Sequence, residues 1–194
     1  MSSRFLLALC LAYSSLSISA QGACGEFPDV GFDGPDMRSF QGRYENPNYY
    51  FGVTIPPGLT GHDAPPPMPH HGFGIVLSWT PRSYIWVDGT YNSTDLPDAK
   101  AALEQLVEFM NQDGAKIKST KFYRIKHGFI FSTQVIIQYK CNAYPVDRVK
   151  HLSAIIKNGI MYKIGLDTTE KRYNEDYSVF NALVSSWHLI HHHT

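Results

Sequence analysis

The residues in this chain best suited to chemistry are its nine histidines, which are unevenly placed. His62, His70 and His71 lie in or beside the stretch Pro65-Pro66-Pro67-Met68-Pro69, while His188, His191, His192 and His193 close the chain. A transition-metal site needs two or more imidazoles on rigid elements plus a carboxylate, and His62 with Asp63 and the His70-His71 pair supply part of one. Neighbouring side chains on an extended segment point apart, so His70 and His71 are poorly placed to share an ion. In the tail, a helix continuing past Trp187 would bring His188, His191 and His192 to one face, where Zn²⁺, Cu²⁺ or Ni²⁺ could bind. The opposing expectation is a frayed terminus, since nothing rigid holds the last residues. Acid–base chemistry is a further use of the loop, with Glu45, Asp63 and His70 as one arrangement that spacing allows.

Signatures that would turn these residues into an enzyme are missing. The chain has no Gly-x-Ser-x-Gly, His-Glu-x-x-His, Gly-x-x-x-x-Gly-Lys-Ser/Thr or Cys-x-x-Cys. The sequence implies no cofactor beyond a transition metal at one of the histidine groups. The function it points to is an exported, non-catalytic binding or accessory protein, contacting its partner through the loop 61–72 and nearby aromatics. The binding candidates are His62, His70, His71, Trp79, Tyr84 and Trp86. The rivals are a secreted hydrolase centred on His70 or His71 and a transition-metal-binding protein. The partner, a protein or a small molecule, is not named by the sequence.

Cysteine chemistry depends on compartment. Arg4 is the only charge among the first 25 residues, and it precedes the apolar run 5–13 and a small-residue stretch ending at Ala20. That order is a secretory signal with cleavage expected after Ala20. The run is far shorter than the ~20 residues a membrane-spanning helix needs. Cleavage removes Cys10 and leaves Cys24 and Cys141, expected to form one disulfide in an oxidising compartment. The rival for Cys24 is a lipid anchor at Gly22-Ala23-Cys24, with Gln21 standing where Leu is usual. The product is expected to be secreted or periplasmic, and Asn92-Ser93-Thr94 is a glycosylation sequon if the host is eukaryotic.

Lys+Arg and Asp+Glu each number 17 in the 194 residues, and losing Arg4 leaves 16 against 17. A net charge of −1 offers no basic field for nucleic acid and names no partner. Hydrophobic residues at 43% suffice for a real core.

The elements that must position these groups read as strands, helix, strands, helix. Residues 21–43 lack periodicity and are expected to form an irregular arm over a single domain 44–190, with 191–194 as a His-rich tail. Tyr49, Phe51, Val53 and Ile55 alternate as in a strand, and residues 73–79 and 84–87 are the next two. Asp88-Gly89 reads as a tight turn, with Tyr91 opening a returning strand. Ala99, Leu103, Leu106, Val107 and Met110 give a helix over 97–112, capped by Asp95 and stopped by Gly114. Residues 116–126 and 129–140 form a hairpin. Asn158-Gly159 marks a two-residue turn that pairs Lys157 with Ile160 and, counting outward, places His151 opposite Leu166 on the core side. Tyr177, Phe180, Leu183, Val184 and Trp187 form a closing helix, capped by Asn174 with Glu175 and Asp176 at its positive end. The fold class is therefore α+β, an antiparallel sheet with helices on its faces.

The run Lys157-Asn-Gly-Ile-Met-Tyr-Lys-Ile-Gly-Leu-Asp-Thr-Thr169, the acidic start Glu175-Asp176 and the helix Phe180-Asn-Ala-Leu-Val-Ser-Ser-Trp187 resemble the closing hairpin and helix of PsbP-like proteins. The resemblance covers 35 to 40 residues of packing rather than catalysis. It implies an α/β/α sandwich and an extracytoplasmic accessory role, with metal sites in some members, and carries over no functional residue.

Overall fold

The structure, a computed structural model, describes residues 24, 38–63, 71–127, 130–141 and 144–190. Eight strands form one antiparallel sheet: β1 (Ser39–Phe40), β4 (Gly61–His62), β5 (Phe73–Trp79), β6 (Arg82–Tyr91), β10 (Ile160–Thr169), β9 (Tyr144–Lys157), β8 (Ile130–Cys141) and β7 (Lys116–His127), in that spatial order. A small second sheet joins β11 (His188–Leu189), β3 (Phe51–Thr54) and β2 (Arg43–Asn46).

The β9–β10 hairpin has the register that the sequence predicts. Asn158 and Gly159 both take positive φ, 53° and 73°, as a two-residue turn matched to strand twist requires. Lys157 pairs with Ile160, Ile155 with Tyr162, Ser153 with Ile164 and His151 with Leu166. Strand alternation then divides the side chains between two faces. Helix α1 (Ala99–Gln112) lies over one face, packing Leu103 and Met110 with Val135, Ile137, Leu152 and Ala154. Helix α2 (Tyr173–Ser186) lies over the other, packing Phe180 and Leu183 with Ile85, Tyr162, Ile164 and Leu166. The sheet is covered on both sides, an α/β/α arrangement.

Several boundaries differ from expectation for identifiable reasons. Strand β6 runs straight through Asp88-Gly89, because β10 pairs with it from Tyr84 to Tyr91 and tertiary pairing overrides the turn dipeptide. The segment expected to be irregular supplies β1, which pairs with β4, and Arg43 opens β2, so His62 lies in a strand rather than a loop. Asp98, not Asp95, caps α1, its carboxylate accepting from the Ala101 amide at 2.8 Å, while Asp95 has φ 50° in the preceding turn. Gly114 ends α1 with φ 84°, as expected. Helix α2 follows Arg172 with no side-chain cap, since Asn174 is already inside the helix. Tyr49 precedes β3 in a turn.

Cys24 and Cys141 are bonded, with Cα atoms 5.3 Å apart. This occupies the sulfur that a lipid anchor would need. The signal segment, His70, His191 and His192 lie outside the described residues. Among the described residues no helix is long and apolar enough to cross a membrane.

Candidate functional site

The candidate residues are spread over several places. His62, half-buried in β4, precedes Asp63, whose carboxylate takes a 2.6 Å bond from Arg38. Glu45 pairs with Arg43 in β2, so both acids of the Glu45, Asp63 and His70 arrangement are engaged by arginines. Trp79 is 60% exposed at the tip of the β5–β6 hairpin. The helix does not continue past Trp187: the chain turns extended there and enters β11, so His188 lies in a strand rather than on a helix. Its Nδ1 lies 3.0 Å from the Ser186 carbonyl and its ring packs over Gly52. Among the described residues no three His, Cys, Asp or Glu side chains gather as metal ligands.

Where the chain returns from the proline-rich loop, a contact surface takes shape. His71 packs on Tyr49 with ring centres 4.4 Å apart, and Tyr49 on Tyr91 at 5.4 Å. The His71 carbonyl is held by the Asn46 amide at 2.7 Å, and Tyr91 is 65% exposed. On the other face of β6, the side that carries Tyr84 and Trp86, Asp88 Oδ2 meets Lys163 at 3.4 Å. Burial pushes the Asp88 carboxyl above its ordinary range, against the opposing pull of Lys163 and His71. Nδ1 of His71 and Oδ1 of Asp88 are among the buried polar atoms that have no hydrogen-bond partner among the described residues.

Tyr84 and Trp86 do come together, 5.7 Å apart on the α1 side of β6, beside a charged centre that sequence reasoning missed. Asp167 is fully buried and accepts from Arg148 Nε at 2.9 Å, Arg148 Nη2 at 2.7 Å and the Tyr139 hydroxyl at 2.8 Å. Lys150 approaches it at 3.2 Å and lies over the Trp86 ring at 5.6 Å. Burial alone would raise the Asp167 pKa, yet Lys150 and Arg148 hold it below the usual carboxylate range. The Tyr139 phenol is pushed well up by burial and by Asp167. Trp86 can lie flat here because Gly165 faces it; a Cβ at Gly165 would collide with the indole.

The α2 side carries a second buried polar group. His151 is bound through Nδ1 to the Tyr173 hydroxyl at 2.9 Å and through Nε2 to Gln134 Oε1 at 3.0 Å, and it stacks on Tyr177 with planes 5° apart. Burial lowers its pKa to about 4, so the ring is neutral near pH 7. Nearby, Asp176 accepts from Ser83 at 2.6 Å, Thr168 at 2.5 Å and Arg172 at 2.8 Å. Asp176 thus ties α2 to the sheet in addition to lying in the helix's first turn. Alternation from the 158–159 turn gave His151 its face; extended across β8, the same counting would have put Gln134 beside it. No local motif announced Asp167.

No protein-family model matches the sequence, and no curated protein matches it either. Solved structures do. Cyanobacterial PsbP (CyanoP) of Synechocystis sp. PCC 6803 superposes with a TM-score of 0.51 at 17% identity, over 87% of this chain and 98% of that one. The fold is PsbP-like. The Ran-binding protein Mog1p of Saccharomyces cerevisiae aligns with a TM-score of 0.50 at 14% identity, over 79% of this chain and 96% of its own. Mycobacterium tuberculosis LpqN, involved in cell envelope biogenesis, gives 0.50 at 10% identity, over 80% and 92%. The PsbP-like resemblance of the closing hairpin and helix therefore extends to the architecture of most of the chain.

Proposed function

We propose that the protein is an exported, non-catalytic binding protein whose contact surface lies where the chain returns from the loop 61–72, around His71, Tyr49, Tyr91 and Asp88. The carrying observation is the exposed Tyr91 ring packed on Tyr49, which in turn packs on His71, whose buried Nδ1 has no hydrogen-bond partner among the described residues. Buried polar groups in native proteins are nearly always satisfied, so an open ring nitrogen among exposed aromatics suits a bound ligand or partner. Mog1p, of the same fold, is a Ran-binding protein, which supports a protein partner. The apolar N-terminal run, the Cys24–Cys141 bond and the likeness to LpqN support export.

A photo-crosslinking residue in place of Tyr91, in the exporting cell, should trap a partner that the same residue at Phe109 on α1 does not, and His71→Ala should abolish the adduct. Equal adducts from both positions, or a turnover activity lost in folded His71→Ala, would overturn the reading.

A further inference from the structure

The neutral total conceals a local concentration of charge. Strands β7 and β8 contain Lys116, Lys118, Lys121, Arg124, Lys126 and Lys140 and no Asp or Glu. Strand β7 ends the sheet order, so one side of its backbone has no strand neighbour among the described residues. Lys118 is taken by Asp147 at 2.7 Å, whereas Lys116, Lys121, Arg124 and Lys126 are exposed. Arg124 and Lys126 lie over the Phe131 ring at 4.8 and 5.7 Å and still leave it 51% exposed, and Tyr123 is 41% exposed.

An open edge strand is a template for another strand, and lysines along it are a common device against self-association. Two copies of β7 side by side would set five cations against five. The charge that rejects a second copy favours a strand of opposite sign. We propose that the β7 edge receives an extended acidic segment of a partner protein as a ninth strand. Main-chain hydrogen bonds supply affinity, carboxylates on one face of the added strand meet Arg124 and Lys126 beside the Phe131 ring, and its other face lies along Lys121 and the Tyr123 ring. The cations are spread along a strand about 40 Å long, which matches an extended chain better than a flat surface touching one end. Strands β10, β9 and β8 lie between this edge and β6, which carries Tyr91, so either surface can fail without the other.

The test uses the full exported chain with its disulfide intact and, as probe, a short synthetic peptide alternating Glu and Val. Hydrogen exchange of the outward β7 amides should slow on peptide binding. Affinity should fall about tenfold or more with Lys121→Glu, Arg124→Glu and Lys126→Glu combined, or with added salt. The same peptide with Lys for Glu should not bind. Should the triple variant fail to fold, a peptide N-methylated at alternate residues replaces it and must lose binding. Failure of the acidic peptide to bind, equal binding by the N-methylated peptide, amide protection away from β7, or preference for phosphatidylglycerol vesicles over the peptide would each overturn the proposal.

Discussion

Lys150 and His151 are neighbours in β9, yet they belong to opposite electrostatic regimes. Lys150 faces the α1 side, where Asp167 is kept ionised by two cations and a phenol. His151 faces the α2 side, where Gln134 and the rings of Tyr173, Tyr177 and Phe180 surround it and burial keeps it neutral. The sheet is the same and so is the degree of enclosure; the difference is whether an opposite charge stands across the strand. In low dielectric a partnered charge survives and an unpartnered titratable group gives up its charge. Both groups have their hydrogen-bonding capacity filled by neighbours, which is the mark of groups that hold a fold together. Among the described residues, buried polar atoms are left open at His71 and Asp88, and also at Ser132, Asp147, Thr169 and Arg172.

The largest effect expected on this contrast comes from the covalent tie at the α1-side core, into which Cys141 is packed. Opening a loop spanning 117 residues of sequence separation should cost about 5 kcal/mol in the chain-entropy treatment. Urea unfolding with and without reductant measures this, and thiol titration of the oxidised protein should find no free Cys24 or Cys141. Next, Asp167→Asn leaves Arg148 and Lys150 buried without their counter-charge and should cost about 4 kcal/mol. Restoring most of that loss by adding Lys150→Met and Arg148→Met would sharpen the assignment. A cost below about 1 kcal/mol for Asp167→Asn alone would break it.

A smaller effect belongs to the neutral side. The unfolded chain protonates His151 near pH 6.5 and the folded chain only near 4, so between these values the unfolded state binds more protons. Stability should be full above pH 6.5 and decline by about 3 kcal/mol as pH falls through 4. His151→Gln should flatten this slope relative to the parent. Smallest is Gly165→Ala, which must displace the Trp86 indole from the sheet. A cost of about 2 kcal/mol with a shifted tryptophan fluorescence is expected, and an unchanged spectrum would place the ring elsewhere.

How much of this was legible beforehand follows from the range of each signal. The 158–159 turn is local, and counting outward from it placed His151 correctly, because a two-residue loop fixes register. The apolar periodicity of α1 and α2 was likewise readable, although their caps were not: Asp95 and Asp98 compete within one turn, and Asn174 lost its place to one more residue of helix. Asp88-Gly89 misled because its turn propensity is weaker than eight residues of pairing with β10. The Asp167 centre was invisible since Tyr139, Arg148, Lys150 and Asp167 come from three strands and converge only through register. The basic edge was hidden by a neutral sum. Among the described histidines singled out, His71 ended with an unpartnered ring nitrogen, and Tyr84 and Trp86 proved neighbours of a charge centre absent from any motif.

The central claim is that the interior titratable groups are committed to the fold and that contact is left to the surface. It is tested most directly by following the His151 ring by NMR across pH 3 to 8. The account predicts that His151 stays neutral until about pH 4. A midpoint near the ordinary 6.5 would show a solvated ring available for proton transfer and would contradict it.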